Sequence, residues 1–303
     1  MKKVLFILGT TCSGKSTLAI ELARSFNGEI ISADSVQIHK EFDIGSAKIE
    51  KEEMTVEHYG IDIKEPTESF SAYDFIEFTK EKIEYIFNKG KLPIIVGGTG
   101  LYAKALIEGY NFGDTDRHEQ FRKEIEEKIK GEGIEKVYDE FNRLFPQLAK
   151  DIDKNNPVRL IRAFEIAYFG GQKSLNKQPK YDCLALSLTM DRQMLYNKIN
   201  SRVDEMVRQG LFDEVKYLYN KYGQFVQPMK AIGYKEVVSF LKGEISKEDT
   251  ISLIKQHTRN YAKRQITFLK GMSGLVYIDS IDKNKALIEA KREVGKWLKQ
   301  SKN

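Results

Sequence analysis

The fold is decided by one stretch, Gly9-Thr10-Thr11-Cys12-Ser13-Gly14-Lys15-Ser16. It matches the phosphate-loop pattern G-x-x-x-x-G-K-S/T and lies between an apolar run at 4–8 and a helical pattern at 17–26. The glycines let backbone N–H groups turn towards a phosphate, Lys15 adds a positive charge, and the Ser16 hydroxyl stands at the helix N-terminus, where it can bind Mg²⁺. Strand, loop and helix in this order predict a ligand that carries a di- or triphosphate group.

The composition is that of an ordinary globular protein. The 303 residues are 31% charged and 41% hydrophobic, and no apolar run approaches the length of about 18 residues that a membrane span needs. Met1-Lys2-Lys3 leads directly into a strand, so we expect no signal peptide and a location in the cytoplasm. Cys12 and Cys183 lack the spacing of a disulfide framework or a zinc site. The net charge of +5 permits a polyanionic partner without requiring one.

Outward from the loop, the pattern is that of a parallel α/β sheet. Apolar runs at 29–33 and 92–96 read as buried strands, and a helix between them begins at a capping box of Ser71 and Asp74 and ends at Gly90. The fold class is therefore α/β, with a P-loop nucleoside-triphosphatase-like parallel sheet core. Ligands bind at the carboxyl ends of such strands.

Two segments follow these strand ends. Asp34 comes directly after the second strand and is a candidate site residue, with a helix cap or a turn residue as the alternative. The strand at 92–96 ends in Gly97-Gly98-Thr99-Gly100 and carries no acidic residue there, which makes ordinary ATP hydrolysis a poorer fit. Glycines at this position indicate close approach of a ligand, with Thr99 as a possible contact, or a tight connection from strand to helix.

A helical insertion interrupts the α/β pattern. Charged helical sequence occupies residues 117–130, 134–142 and 158–168, and the polar stretch from Gly170 to Pro179 reads as a return linker. We expect the core to comprise residues 1–113 and 181–303 and the insertion domain to comprise 114–180. A last long helix at 247–270 places Lys255, Arg259 and Lys263 on one face, which indicates either a nucleic-acid surface or a solvated face.

Taken together, these motifs resemble the tRNA dimethylallyltransferases of the short bacterial type, along nearly the whole chain. The phosphate loop alone is shared with many unrelated enzymes, whereas the ordered series is specific to that family. The residues that carry the resemblance are 9–16, 31–37 (ISADSVQ), 43–48 (DIGSAK), 97–102 (GGTGLY), 156–163 (NPVRLIRA), 231–236 (AIGYKE) and 258–265 (TRNYAKRQ).

The resemblance implies transfer of a prenyl group from dimethylallyl diphosphate to N6 of the adenosine on the 3′ side of the anticodon in tRNA, with release of pyrophosphate. It implies Mg²⁺ on Ser16 and Asp34 as the base that accepts the N6 proton, or as a water-mediated Mg²⁺ ligand. Thr99 would orient the amino group or the diphosphate. The residues implied to bind the diphosphate are Gly9, Thr10, Thr11, Cys12, Ser13, Gly14, Lys15, Ser16 and Arg202.

Binding of an anticodon stem-loop is implied for residues spread over the chain. They are Asp34, Ser35, Val36, Gln37 and Thr99 near the site, Arg122, Val158, Arg159, Leu160, Ile161 and Arg162 on the insertion, and Lys230, Gly233, Tyr234, Lys235, Lys263, Arg264, Gln265 and Lys270 towards the C-terminus. We expect no membrane partner and a monomer.

Two other functions share part of the pattern. A phosphate-loop kinase of a small metabolite or nucleotide would consume ATP, but it gives no reason for the basic helix near the C-terminus. An RNA-binding regulator switched by a nucleotide would perform no chemistry on RNA.

Overall fold

The computed structural model describes residues 1–109, 118–150, 152–169 and 180–300. It contains two compact units, the first comprising Met1–Ile107 and Pro179–Asn303 and the second comprising Glu108–Gln178. The stretch from Gly170 to Pro179, predicted as a return linker, lies outside the described residues. No helix in the described part of the chain is long and apolar enough to cross a membrane.

A parallel sheet forms the centre of the first unit. Its strand order is β3-β2-β4-β1-β5-β6, and every described pairing is parallel. The strands are β1 (Lys2–Gly9), β2 (Gly28–Ser32), β3 (His58–Tyr59), β4 (Leu92–Gly97), β5 (Tyr181–Thr189) and β6 (Leu275–Asp279). This architecture confirms the predicted α/β class.

Twelve α-helices are described. They are α1 (Lys15–Ser25), α2 (Ala72–Asn88), α3 (Gly100–Glu108), α4 (Glu119–Glu132), α5 (Ile134–Leu144), α6 (Pro146–Ala149), α7 (Pro157–Phe169), α8 (Arg192–Arg208), α9 (Leu211–Tyr222), α10 (Tyr234–Leu241), α11 (Lys247–Lys270) and α12 (Lys283–Lys299). The predicted capping box opens α2, because the Ser71 side chain accepts the Asp74 N–H and Asp74 accepts the Ser71 N–H.

The register of the sheet brings three connections to one edge. Leu8 of β1 pairs with Gly97 of β4, and Ser32 of β2 pairs with Val96, so these strands end at the same level. The phosphate loop, Asp34 and the glycine turn follow these strand ends. Parallel alignment therefore places all three sequence motifs at the carboxyl edge of the sheet.

The core of the first unit is apolar on both faces of the sheet. Central strand β1 is buried from Val4 to Leu8, as a strand covered by helices must be. On one face, side chains of α1 and α12 pack on it, among them Leu22, Val294 and Trp297. Each fully buried side chain of this size stabilises the fold by about 1.5–3 kcal/mol.

The second unit has an apolar core of its own. Val137, Phe141, Leu160 and Phe164 are buried together at the contacts among helices α4 to α7. Its buried carboxylate, Glu165, is held by two arginines, as described below. The helical character predicted for this stretch is confirmed within the described residues.

Candidate active site

The phosphate loop connects β1 to α1 in the conformation that an anion site needs. Gly14 caps α1 with φ 89°, and Cys12 also has a positive φ of 62°, so successive N–H groups can turn to one side. The Ser13 hydroxyl donates to Thr10 O at 2.9 Å, which closes the loop on itself. Lys15 donates to the same carbonyl and so lies along the loop.

A cavity of about 1030 Å³ opens beside this loop, and we call it the diphosphate cavity. Its walls include Thr11 to Ser16 of the loop together with residues from four other segments. Those residues are Asp34 and Gln37 after β2, Thr99 after β4, Lys198 and Arg202 on α8, and Tyr261 and Gln265 on α11. The predicted base, Thr99 and the predicted diphosphate ligands other than Gly9 and Thr10 thus line one space within the first unit.

Two of the cations that line the cavity lie at the phosphate loop. The pKa of Lys15 is lowered to about 8, chiefly by burial and also by the charge of Arg202, while Cys12 and Asp34 oppose the shift. Arg202 contacts the loop at Cys12, where its Nη1 lies 3.7 Å from Sγ. Among the described residues, Lys15 and Arg202 contact backbone carbonyls and the Cys12 sulfur, and neither forms an ion pair with a carboxylate. Two neighbouring cations in this state favour binding of an anion such as a diphosphate.

Diphosphate affinity should therefore depend on pH through Lys15. The protonated amine binds the anion, so affinity of the free protein for pyrophosphate should fall by up to tenfold per pH unit above about 8. In Lys15→Arg the guanidinium stays charged throughout this range. Titration calorimetry should show the ratio of wild-type to variant affinity falling above pH 8, since protonation of the ligand affects both proteins equally. A constant ratio would contradict this assignment.

Asp34 is held by the backbone that follows it. Its Oδ1 accepts the N–H of Val36 at 2.8 Å and that of Gln37 at 3.2 Å, while Oδ2 accepts no hydrogen bond from any described residue. The turn geometry that the sequence offered as an alternative role is therefore present. It involves one oxygen only and leaves the second available to a ligand in the diphosphate cavity.

The glycine turn after β4 is packed against the protein itself. A Cβ at Gly98 would lie 2.2 Å from Gln265 Nε2, one at Gly97 would lie 2.6 Å from Ala33 Cβ, and one at Gly100 would lie 2.3 Å from Phe268. The predicted close approach is thus made by side chains of this chain. The glycines serve a tight connection that brings Thr99 beside α11.

Gln265 ties the glycine turn to the phosphate loop. Its Oε1 accepts the Thr11 N–H at 3.0 Å and its Nε2 donates to Gly98 O at 3.0 Å. The side chain is 6% exposed. Gln265 therefore has a structural role, because both polar ends of the amide are used inside the first unit, and its role in RNA binding stays a prediction.

Exchanging Gln265 for Glu should disturb both loops without changing the shape of the side chain. A carboxylate oxygen would face Gly98 O where the amide now donates, so we expect kcat/KM for the prenyl donor that the resemblance implies to fall by about tenfold to a hundredfold. Gln256→Glu, on an exposed part of the same helix, is the matched control. Equal values of kcat/KM for the two variants would show that the hydrogen bonds of Gln265 to the two loops do not affect the reaction.

Tyr261 is a site residue that the sequence did not single out. Its hydroxyl is in hydrogen-bond contact with Thr99 and Gln265, and burial, with the charge of Asp34, raises its pKa. The phenol therefore stays protonated. The signal was its spacing, because Tyr261 and Gln265 are four residues apart on one helix face. Lys198 was missed likewise, four residues before Arg202 on α8.

Predicted RNA contacts in the first unit, apart from the buried Gln265 and the half-buried Asp34, Val36, Gln37 and Thr99, fall into two groups. Ser35, Lys230, Lys235, Lys263, Arg264 and Lys270 are exposed. Gly233 and Tyr234 are buried, and the Tyr234 side chain is 0% exposed. Burial removes the Tyr234 side chain from any RNA surface in this structure, which corrects its assignment as an RNA contact.

The predicted basic face of α11 is largely turned towards α8. Lys255 pairs with Asp204 at 2.6 Å, and Arg259 Nη1 donates to Asn200 Oδ1 at 2.7 Å. The stripe is therefore neither a free nucleic-acid surface nor a solvated face along its length. Only its C-terminal part, from Lys263 onward, presents cations to solvent.

In the second unit, some of the predicted RNA contacts are exposed and others are buried. Val158 is 73% exposed and Arg159 is exposed, whereas Leu160 is buried in the core, which corrects its assignment to an RNA surface. Ile161 packs against that core.

Arg122 and Arg162, also in the second unit, both hold Glu165. Nε of Arg122 donates to Oε1 at 3.0 Å, and Nη1 of Arg162 donates to Oε2 at 2.5 Å. Burial by itself raises the pKa of Glu165, but these arginines bring it down to about 2. The two guanidinium groups thus have a structural partner in addition to any role at the surface.

The chain is similar to known proteins along nearly its whole length. The model of a family described as IPP transferase matches residues 37–272. Two relatives named tRNA dimethylallyltransferase are similar: one from Thermoanaerobacter sp. (strain X514) is 43% identical over 98% of this chain and 97% of its own length, and one from Bacillus cereus (strain AH187) is 42% identical over 100% and 98%.

Solved structures give the same result. A full-length tRNA isopentenylpyrophosphate transferase from Bacillus halodurans has a TM-score of 0.76 at 39% identity, covering 98% of this chain and 97% of that one. A eukaryotic dimethylallyltransferase, described as acting on tRNA, has a TM-score of 0.85 at 29% identity, covering 99% of this chain and 82% of that one.

Proposed function

The chain belongs to the IPP transferase family, and on that premise we propose that it transfers a dimethylallyl group from dimethylallyl diphosphate to tRNA. The acceptor is N6 of the adenosine on the 3′ side of the anticodon, and pyrophosphate is released. The observation that best supports this proposal is the diphosphate cavity, in which the phosphate loop, Asp34 and Thr99 line one space. The kinase alternative loses its support, because the similar proteins are transferases acting on tRNA.

The reaction breaks one bond and forms one. The allylic carbon leaves the diphosphate oxygen and bonds to N6, and N6 gives up a proton. As the carbon–oxygen bond lengthens, negative charge grows on the diphosphate, which backbone N–H groups of the phosphate loop, Lys15 and Arg202 stabilise. This chemistry needs no activated water, in keeping with the glycine turn that follows β4.

Asp34 is the proposed base. An adenine amino group is a poor nucleophile, and a carboxylate that accepts its proton contributes a factor of about 10² to 10⁴. The two N–H groups on Oδ1 fix the orientation of the carboxylate, and Oδ2 remains to take the proton. Thr99, held by Tyr261, is proposed to orient the amino group or the diphosphate.

Mg²⁺ is the proposed cofactor, and the residues present fit it. The Ser16 hydroxyl lies in the first turn of α1, lines the cavity and makes no hydrogen bond to any described residue. Hydroxyl and phosphate oxygens are ligands that Mg²⁺ accepts, with water completing its shell. No group of three His, Cys, Asp or Glu side chains in the described part of the chain forms a metal site of another kind. When bound, Mg²⁺ would supply further positive charge for the leaving diphosphate.

Recognition of the RNA is proposed to use exposed groups of both units. The target base must leave its stack to reach a pocket, at a cost of a few kcal/mol. Ser35 and the exposed cations Lys230, Lys235, Lys263, Arg264 and Lys270 are candidates in the first unit, together with the half-buried Gln37, and Val158 and Arg159 are candidates in the second. We propose a cytoplasmic monomer, since tRNA is found in the cytoplasm.

Release of pyrophosphate tests the donor. The purified protein should release pyrophosphate only when dimethylallyl diphosphate, Mg²⁺ and an anticodon stem-loop are all present. Substituting ATP for the prenyl donor should release neither ADP nor pyrophosphate. Release of ADP with a small acceptor would overturn the proposal.

A further inference from the structure

Glu214, in the first turn of α9, binds three consecutive backbone N–H groups of the loop at 43–48. Its Oε2 accepts from Asp43 at 3.2 Å and from Ile44 at 2.7 Å, and its Oε1 accepts from Gly45 at 3.0 Å. Tyr234 donates its hydroxyl to the same Oε1 at 2.8 Å. Four donors on one carboxylate hold the loop more tightly than neutral hydrogen bonds could.

Packing makes this contact rigid. A Cβ at Gly45 would lie 2.5 Å from Cζ of Tyr234, so only glycine lets the loop approach the ring so closely. The buried ring of Tyr234 also packs on Phe42, with 4.9 Å between ring centroids. Burial and the charge of Glu214 raise the pKa of Tyr234, so the phenol remains a donor.

The far end of the same loop holds two residues of the diphosphate cavity. Ala47 O accepts from Arg202 Nη2 at 3.4 Å and from Gln37 Nε2 at 3.2 Å, and Ser46 O also accepts from Gln37 Nε2 at 3.2 Å. Arg202 is the cation proposed for the diphosphate, and Gln37 lies three residues from Asp34. The loop therefore holds Arg202, which is proposed to bind the diphosphate, and Gln37, which is proposed to bind the RNA.

We propose that Glu214 and Tyr234 are positioning residues for the transfer reaction, acting through the loop at 43–48 on Arg202 and Gln37. The inference rests on the proposed function. Neither residue lines the diphosphate cavity, so each acts only through the loop it holds.

Charge and position predict opposite effects when Glu214 is replaced. Removing a carboxylate near an anion site should tighten diphosphate binding by Coulomb's law alone. Loss of the loop's position should weaken it, because Arg202 loses its support. Weaker binding of pyrophosphate is therefore the signature of positioning.

The test is calorimetric titration of the full chain with pyrophosphate. Glu214→Ala should raise Kd about tenfold, and Glu214→Gln, which keeps one carbonyl acceptor, should raise it less. Asp213→Ala removes the neighbouring exposed carboxylate from the same helical turn and should leave Kd unchanged. Unchanged or tighter binding in Glu214→Ala would overturn the inference.

Kinetics separate positioning from loss of fold. Well below the melting temperature, a purely structural effect would lower the active fraction and leave KM for dimethylallyl diphosphate unchanged, whereas the proposal expects KM to rise about tenfold. If Glu214→Ala does not fold, Tyr234→Phe keeps the ring and removes one hydrogen bond, and KM should rise about threefold or more. An unchanged KM in that variant would overturn the inference.

The proposed function can fail separately. Weaker pyrophosphate binding in Glu214→Ala together with no prenyl transfer by the wild-type protein would reject the reaction and keep the positioning role at a diphosphate site. Prenyl transfer by the wild-type protein with unaltered Kd and KM in both variants would reject the positioning role alone.

Discussion

Replacing Asp34 with Asn is expected to lower turnover by about a hundredfold or more, with affinities for both substrates near those of the wild-type protein. Asn keeps an oxygen that can accept the Val36 and Gln37 N–H groups, so the turn should survive. Its amide cannot take the proton from N6. Single-turnover prenylation of an anticodon stem-loop, with binding of each substrate measured separately, gives the rate constant directly.

The alternative role of Asp34, as a water-mediated ligand of Mg²⁺, gives a different result. In that case Asp34→Asn should recover much of its turnover as the Mg²⁺ concentration is raised. The base role predicts a defect that Mg²⁺ does not relieve. Near-normal turnover at ordinary Mg²⁺ would contradict both.

Replacing Lys15 with Ala is expected to lower kcat/KM for dimethylallyl diphosphate by about 10² to 10³. Lys15 lies at the phosphate loop, where burial lowers its pKa. Its positive charge stabilises the diphosphate most strongly as the diphosphate leaves. Because that charge acts more strongly on the transition state than on the bound substrate, kcat should fall as well as KM rise. Steady-state kinetics over a range of donor concentrations separates the two constants.

Lys198→Ala is the matched control for this change. Lys198 also lines the diphosphate cavity, from α8, but lies outside the phosphate loop. A general effect of positive charge in the cavity predicts similar losses for the two lysines. The account here requires a clearly smaller loss for Lys198→Ala.

Much of the first unit could be predicted because local signals agreed with the tertiary structure. Local sequence determines the conformation of the phosphate loop, the buried strands and the capping box at Ser71. The carboxyl ends of parallel strands must also lie at the same edge of the sheet. Asp34, Thr99 and Lys15 could therefore be brought together from the sequence. Strand β6 and helix α12 were not identified, since β6 is a five-residue edge strand that is half-exposed and gives only a short apolar signal.

The directions of side chains on α11 could not be obtained in this way. Periodicity shows that Lys255, Arg259 and Lys263 share a face, but it does not show that α8 covers the first two. Nor does it show that Gln265 enters the site between two loops. Such roles depend on which helices pack together, which the sequence does not show. For that reason the family resemblance led to the prediction that these side chains bind the ligand.

The central claim is tested most directly by the mass of the RNA product. An anticodon stem-loop with adenosine on the 3′ side of the anticodon should be incubated with the protein, Mg²⁺ and dimethylallyl diphosphate, and a second stem-loop with guanosine there should serve as the control. The first RNA should gain one dimethylallyl group at that adenosine, the second RNA should gain none, and the Asp34→Asn variant should modify the first RNA about a hundredfold or more slowly. An unmodified first RNA, under conditions in which the protein binds pyrophosphate, would contradict the central claim.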